Sequence, residues 1–356
     1  MAAITDSTGA MTEVRTRDFA YDLPRELVAY TPAERREEAR LMVLSRADRT
    51  IAHSRFDRLV AFLRPGDHLV LNETRVIKAR LAGEKRGTGG KVDILVLREM
   101  EPGAWEALVS PSRRIHPGTE IGIRGGHTCR VKERLADGKR LLSFDTPDVA
   151  ALLEEAGEVP LPPYIKREPV AADRERYQTV YARCDGSVAA PTAGLHFSEP
   201  LLEAVARAGV EVVKITLHVG LGSFRPVKED DPAKHTLEPE YFEIGASAAA
   251  ALNTARARGS RIVVVGTTSV RALETAADLA GDGPLTAARG WTHKMILPPH
   301  RFRYVDALVT NFHLPCSTLL MLVSALAGRE FVLEAYAEAA RERYRFYSYG
   351  DAMLIL

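Results

Sequence analysis

The most constraining feature of this chain is the order strand, polar cluster, helix, repeated through its C-terminal half. The run VEVVKITLHV ends in Gly220-Leu221-Gly222. RIVVVG leads into Thr267-Thr268-Ser269 and the helical pattern VRALETAADLA. VDALVTN passes through FHLPCS into STLLMLVSALAG. Such alternation predicts an α/β domain with parallel strands, because parallel neighbours need a crossover helix. Ser198 caps an expected helix, EPLLEAVARAG, stopped by Gly209, and an alanine-rich helix stops near Gly259. Earlier, Asp22 and Pro24 open an expected helix at DLPRELVAY. LMVL and HLVLN read as strands, the second ending at Asn72-Glu73-Thr74-Arg75. In open α/β sheets ligands sit beyond the carboxyl ends of strands, so polar clusters directly after strands are the candidate site.

Between about Val76 and Ala150 the texture changes. Short β-type runs (VIKARLAG, KVDILVLRE, AWEALVS, TEIGI, TCRVKERL, RLLSF) alternate with glycine and proline turns, predicting a small antiparallel barrel or sandwich. A helix at DVAALLEEAGEVP and an extended LPPYIKR close the region. The length of 356 residues suits two domains, perhaps three. The texture break makes the larger one discontinuous: residues 17–75 and 155–356 around an insert at 76–154, after a frayed tail at 1–16 in which Met11 could be the start.

An apolar fraction of 46% and a charged fraction of 27% exclude a disordered, collagen-like or coiled-coil chain. With 48 Lys and Arg against 47 Asp and Glu the formal charge is +1. That argues against a strongly basic nucleic-acid binder and leaves a local basic patch open. Cys129, Cys184 and Cys316 form no CxxC pair, so neither a disulfide framework nor a cysteine zinc site is expected. No secretory signal or spanning segment is evident. The expectation is a cytoplasmic protein without membrane contact.

Five polar strings carry the candidate chemistry: GSVAAPTAGLHF, LHVGLGSFRPV, GTTSVRALE, TNFHLPCST and YSYGDAM. Gly266-Thr-Thr-Ser is either a simple capping turn or, with free helix N–H groups, a seat for a carboxylate or phosphate. GLG is no dinucleotide fingerprint, and no phosphate-binding GxxxxGK[ST] exists. His53, His68, His116 and His127 read as ordinary surface or core histidines. His196, His218 and His313 differ, since each stands at the end of an apolar run beside small or polar residues. No spacing suggests a metal. Arginines cluster at Arg35, Arg36 and Arg40, at Arg113 and Arg114, at Arg301 and Arg303, and among the aromatics of RERYRFY. Such runs are ordinarily solvated faces, and beside aromatics they also suit RNA.

Taken together these strings resemble the S-adenosylmethionine:tRNA ribosyltransferase-isomerase family of queuosine biosynthesis. The match runs in order over about residues 17–356, through YDLPRELVAYTPAERREEARLMVL, LNETRVIKARL, GGKVDILVL, LPPYIKR, YQTVYA and the five polar strings. The resemblance implies a large, open-barrel-like α/β domain with an inserted small antiparallel β-barrel. It implies that the ribosyl part of S-adenosylmethionine moves to the aminomethyl group of a 7-deazaguanine in a tRNA anticodon. Adenine and methionine leave, and an epoxycyclopentanediol remains. S-adenosylmethionine enters as co-substrate, and no redox cofactor or metal is needed. Where the family tends to have Asp, Pro and Lys, this chain has Glu73, Lys78 and Cys316. A family Met-His pair before an acidic residue reads Thr236-Leu237-Glu238, and a family apolar-Pro-Gly-Tyr string reads ILPPHRF.

The chemistry needs a base, an acid and orientation of a neutral amine. His196 and His313 are the expected base and acid, with Asp351 orienting them. Thr267, Thr268 and Ser269 suit the methionine carboxylate. Asn72, Thr74 and Arg75 suit the nucleotide. Arg225 or Arg271 suits the RNA backbone or an internal carboxylate, although Arg271 and Glu274 could equally form a helical salt bridge. Thr192, His218, Gly220 and Asn311 complete the binding set, and Tyr347 or Tyr349 suits stacking on a flipped base. The partners are therefore the tRNA anticodon stem-loop and S-adenosylmethionine, handled by a monomer. Two alternatives stay open: a divergent paralogue using S-adenosylmethionine on another acceptor, and a non-catalytic RNA-binding protein.

Overall fold

A computed structural model describes residues 3–5, 11–220, 222 and 227–356. Arg225 lies outside the described residues, as does part of the expected tail; within that tail Ala3–Thr5 pairs with Met11–Glu13. The chain divides into two units. The larger comprises Met1–Thr74, Gln178–Cys184 and Ala190–Leu356, and the smaller Arg75–Tyr177 and Asp185–Ala189.

The larger unit is built on a nine-stranded mixed sheet. Its strands in chain order are β1 (Arg40–Ser45), β2 (Thr50–Arg55), β3 (His68–Asn72), β4 (Glu211–Leu217) and β5 (Glu240–Ile244). They continue with β6 (Ile262–Val265), β7 (Ala288–Thr292), β8 (Ala307–Asn311) and β9 (Ala352–Ile355). Their order across the sheet is β7-β5-β4-β3-β6-β8-β9-β1-β2. The four central strands β4, β3, β6 and β8 are parallel. The alternation of strand and helix anticipates that centre. The flanks are mixed: β9 is antiparallel to β8, and β5 and β7 close the other side as antiparallel neighbours.

β3, β6 and β8 are buried at every position because both faces are covered. Leu69, Leu71, Val263, Val265 and Val309 share one buried cluster with Leu201 and Val205 of α3 (Glu199–Arg207). Val70, Val264 and Leu308, offset by one residue, point to the other face and are equally buried. Ser198 caps α3, accepting from the Leu201 amide, and Ser317 caps α6 (Thr318–Ala327) through the Leu320 amide. α4 (Ala246–Arg258) ends at left-handed Gly259, where only glycine is free of strain. Helix α5 (Thr267–Ala280) is buried along nearly its whole length, and α7 (Arg329–Arg341) follows α6 directly.

The helix expected at DLPRELVAY is a single 3-10 turn, Arg25–Leu27. The Ala29 amide donates to the Phe346 carbonyl and the Phe346 amide to Leu27. Pairing with a distant segment takes the backbone groups that a helix would need.

The smaller unit holds a closed six-stranded antiparallel barrel. Its strands are Arg80–Lys85, Lys91–Glu101, Ala104–Ser110, Glu120–Ile123, Thr128–Arg134 and Lys139–Phe144. Alternate residues Val92, Ile94 and Val96 fill its interior with Ile121, Val131 and Leu142. Leu152 and Leu153 of α1 (Val149–Ala156) join that core. Closure pairs every strand on both sides, leaving no open edge. No helix is long and apolar enough to cross a membrane among the described residues.

Candidate active site

The polar strings gather at the carboxyl ends of the central parallel strands. Beyond β3, the Asn72 amide group donates to the Leu217 carbonyl and accepts from the Leu217 and Thr74 amides. The two bonds to Leu217 clamp β3 to β4, and the third braces the turn to Thr74. Asn72 therefore positions the site and has little left for a ligand. Thr74 Oγ1 shares a 2.8 Å hydrogen bond with His218 Nδ1, and the His218 ring stacks on Tyr241 at 5.5 Å. Arg75 is exposed, 3.6 Å from Asp185 in the smaller unit.

Glu73, a residue the sequence marked only as a departure from the family, is almost wholly buried between them. Its Oε1 is 2.7 Å from Arg183, while Oε2 is buried without a partner among the described residues. Glu73, Arg183, Cys184, His218 and Tyr241 line a cavity of about 410 Å³.

Beyond β6 the chain turns at Gly266, with φ +87° and ψ 142°, directly into α5. No side chain caps this helix, so the amides of Thr267, Thr268 and Ser269 face its N-terminus without the usual oxygen. Ser269 Oγ bonds back to the Val265 carbonyl at 2.6 Å. Thr268 Oγ1 is buried without a partner among the described residues. The turn Thr192–His196 comes close: a Cβ at Gly266 would meet Ala193 at 3.9 Å and Thr268 Oγ1 at 3.5 Å.

At the end of β8 stands Asn311, whose Nδ2 reaches His196 Nε2 and the Tyr347 carbonyl, both at 3.2 Å, and the Asp351 carbonyl at 3.4 Å. One amide thus joins TNFH, GLHF and YSYGDAM. Its Oδ1, like Glu73 Oε2 and Thr268 Oγ1, is buried without a partner among the described residues. Glu73, Thr268 and Asn311 follow three adjacent parallel strands, β3, β6 and β8. Buried polar atoms are satisfied in native proteins with few exceptions; others stand singly, as at Trp105 and Ser324, but these three stand together and make this edge the candidate ligand-binding edge.

The two candidate histidines differ. His196 packs against Phe56 with ring centroids 5.0 Å apart and the planes tilted by 35°, and meets Asn311 at Nε2. Burial pushes it down to about 4, partly opposed by a hydrogen bond with the Arg36 backbone. His313 is pushed down to about 3 by burial. Its backbone is held by two tyrosines: its amide donates to Tyr336 Oη at 3.0 Å, and its carbonyl accepts from the Tyr21 hydroxyl. Thr310 Oγ1 holds Nε2 at 2.8 Å, and Nδ1 has no partner among the described residues. Desolvation raises Asp351, whose carboxylate accepts from the Arg40 and Arg345 amides, each at 2.8 Å. Asp351 ties β1 to the C-terminal turn and does not itself touch a candidate histidine side chain.

Arg271 and Glu274 form no helical pair. Arg271 pairs with buried Glu240, which also accepts from the Gly220 amide at 2.9 Å. Glu274 accepts from the Arg303 and Tyr304 amides. Three residues on a helix are neighbours only if nothing better is offered, and here tertiary partners are. Tyr347 is half-buried with φ +74°, and Tyr349 is buried. Thr192 opens the 192–196 turn, half-buried. Among the described residues no group of three or more His, Cys, Asp or Glu side chains is arranged to hold a metal ion.

The family profile described as "Queuosine biosynthesis protein" matches residues 16–355. An S-adenosylmethionine:tRNA ribosyltransferase-isomerase of Symbiobacterium thermophilum is 52% identical over 345 residues, covering 96% of this chain and all of that protein. The protein of the same name from Moorella thermoacetica is 52% identical over 346 residues, with the same coverage. A crystal structure of S-adenosylmethionine tRNA ribosyltransferase from Thermotoga maritima is 38% identical, with a TM-score of 0.55 over 95% of this chain and all of that one. A profile match across nearly the whole chain, joined to half-identity with full-length relatives, makes this protein a member of the S-adenosylmethionine:tRNA ribosyltransferase-isomerase family of queuosine biosynthesis.

Proposed function

We propose that this protein transfers and isomerises the ribosyl part of S-adenosylmethionine onto 7-aminomethyl-7-deazaguanine in a tRNA anticodon, giving epoxyqueuosine-tRNA, adenine and methionine. The observation that carries this reading from family to site is the row of three orphaned polar atoms at the ends of β3, β6 and β8. Each needs a partner that the described protein residues do not supply. The substrates offer groups of the right kind: an amine, a carboxylate with an α-ammonium group, and a nucleobase edge.

The α5 N-terminus suits the methionine carboxylate, because free amides and the helix dipole favour an anion there and Thr268 Oγ1 can add a donor. Glu73 suits the acceptor's aminomethyl group. A carboxylate beside that nitrogen accepts its hydrogen bond and can take the proton lost as the C–N bond forms. The His218–Tyr241 stack beside it suits a nucleobase face. Asn311 Oδ1 suits an exocyclic N–H.

The sulfonium acidifies the hydrogens on the adjacent ribose carbon. A base removes one, and elimination opens the sugar and expels adenine, protonated at a ring nitrogen. The amine bonds to the opened sugar, and closure of the epoxide expels methionine. His313 is our choice of base, since Nδ1 is uncommitted and burial keeps the ring neutral at pH 7. Burial also makes it a weak base. A substrate carboxylate seated at the neighbouring α5 start would raise its proton affinity. His196, engaged at Nε2 by Asn311 and bonded to the Arg36 backbone, positions the 311–313 segment. We take the working form to be a monomer.

The test is incubation with S-adenosylmethionine and tRNA carrying 7-aminomethyl-7-deazaguanine, following adenine by chromatography. Adenine release that requires this tRNA is expected. Release with a different acceptor would instead make the protein a paralogue of altered specificity.

A further inference from the structure

The chain's formal charge of +1 conceals a strong asymmetry. From the first barrel strand to the last, Arg80–Phe144, stand 13 lysines and arginines against 8 aspartates and glutamates, a net +5 that the acidic residues of the rest of the smaller unit lower to +2. The excess cations therefore stand on the barrel itself.

Its distribution is uneven as well. A cleft of about 810 Å³ on the barrel is lined by Lys85, Arg86, Lys91 and Arg124. Arg86, Lys91 and Arg124 are exposed and Lys85 is half-buried. None of the four has a carboxylate within 4.0 Å among the described residues, whereas Arg80, Arg98, Arg130 and Lys139 elsewhere on the barrel each do. Two acidic side chains share the lining, Glu84 and Asp93, and Asp93 is tied to Arg80 by two hydrogen bonds. Lys85 Nζ donates to the Arg114 carbonyl at 3.3 Å, which brings the turn bearing exposed Arg113 and Arg114 beside the same cleft.

The floor is shaped for close approach. Gly83, Gly87, Gly89 and Gly122 line it, and Gly87 and Gly89 take φ +83° and +68° in the turn between the first two barrel strands. No aromatic side chain lines the cleft. Cations without aromatics suit phosphates better than base stacking. An acidic protein segment would be expected to meet some apolar anchor, and none of the protein's large exposed apolar side chains lies in this lining.

We propose that this cleft of the barrel binds the sugar-phosphate backbone of the tRNA, independently of base identity. It is thus a docking surface separate in role from the residues that do the chemistry. The inference rests on the tRNA reading of function given above.

The test compares the wild type with a K85A/R86A/K91A/R124A variant and a milder K91A/R124A variant. Binding of labelled tRNA carrying the acceptor base is followed by fluorescence anisotropy from 50 to 300 mM KCl. The dissociation constant of the fourfold variant is expected to rise by roughly tenfold or more at 100 mM salt. The slope of log affinity against log salt should shrink by about one per cation removed. S-adenosylmethionine affinity by calorimetry should stay put, which also reports a folded protein. A control, K132A/R134A, removes two exposed cations outside the cleft and should leave affinity within about twofold. Unchanged affinity and slope in both cleft variants would overturn the inference. So would an equal loss in the control, or competition by polyglutamate that matches competition by RNA. Absence of tRNA-dependent adenine release by the wild type would instead defeat the functional reading itself, so the two failures are told apart.

Discussion

His313 and His196 lie at similar depth, yet only His313 keeps a ring nitrogen without a partner among the described residues. That difference makes unequal predictions. His313→Gln should lower adenine release by at least a hundredfold while S-adenosylmethionine affinity changes by less than about threefold. Near-normal turnover would remove His313 from the reaction. Thr268→Val keeps shape and deletes the orphan hydroxyl, so KM for S-adenosylmethionine should rise by about tenfold with kcat less affected, and Thr268→Ser should restore it. Glu73→Gln should weaken use of the aminomethyl acceptor and leave S-adenosylmethionine binding intact; the reverse pattern would assign Glu73 to the other substrate. None of these roles could be weighed from residue type alone. Asn72 and Asn311 are both asparagines ending strands, yet one is spent on backbone and the other keeps an orphan oxygen.

Among elements, the start of α5 carries the most weight. Strand β6 must end, turn at Gly266 and present the amides of the next three residues, and only glycine tolerates φ +87° with ψ 142°. Gly266→Ala should therefore cost about 1–3 kcal/mol in urea unfolding and also raise KM for S-adenosylmethionine. A KM effect without loss of stability would mean that the added methyl acts on the ligand rather than on the turn. The strand-to-helix units β6–α5 and β8–α6 were legible in the sequence because glycine, proline and capping residues punctuate long apolar runs. The 3-10 turn at Arg25–Leu27 was not, because its backbone partners, near Phe346, lie over three hundred residues away.

On the scale of the whole molecule, protonation links site and stability. Both site histidines are held below the usual histidine value, His196 near 4 and His313 near 3, because burial disfavours the cation. Their contribution is present in full above pH 6.5. It is lost as pH falls from 6.5 toward 4 and 3, where the unfolded chain takes up protons that the native fold refuses. Asp351, raised by desolvation, acts with the opposite sign just above its ordinary carboxylate value. Unfolding midpoints in urea should therefore drop between pH 6.5 and 4.5. His196→Asn should flatten that slope; a slope unchanged in the variant would show that other groups set it. Adenine release at low S-adenosylmethionine, which reports the free enzyme, should show no acidic limb at pH 6.5 for the same reason.

What the sequence determined by itself is whatever local order can encode. Apolar runs of four or five residues specify buried parallel strands, alternation specifies the barrel wall, and glycine and serine mark where helices start and stop. The long matched strings carried the family as well. The tertiary structure alone decided which polar groups find partners. Arg271 was drawn to Glu240 rather than Glu274, Asp351 to two backbone amides, and Glu73 to a buried place with one oxygen unspent. It also decided that, in a chain of formal charge +1, four cations would stand without a carboxylate partner around one cleft. Partner choice depends on distance and solvent access, and neither exists until strands far apart in the chain lie side by side.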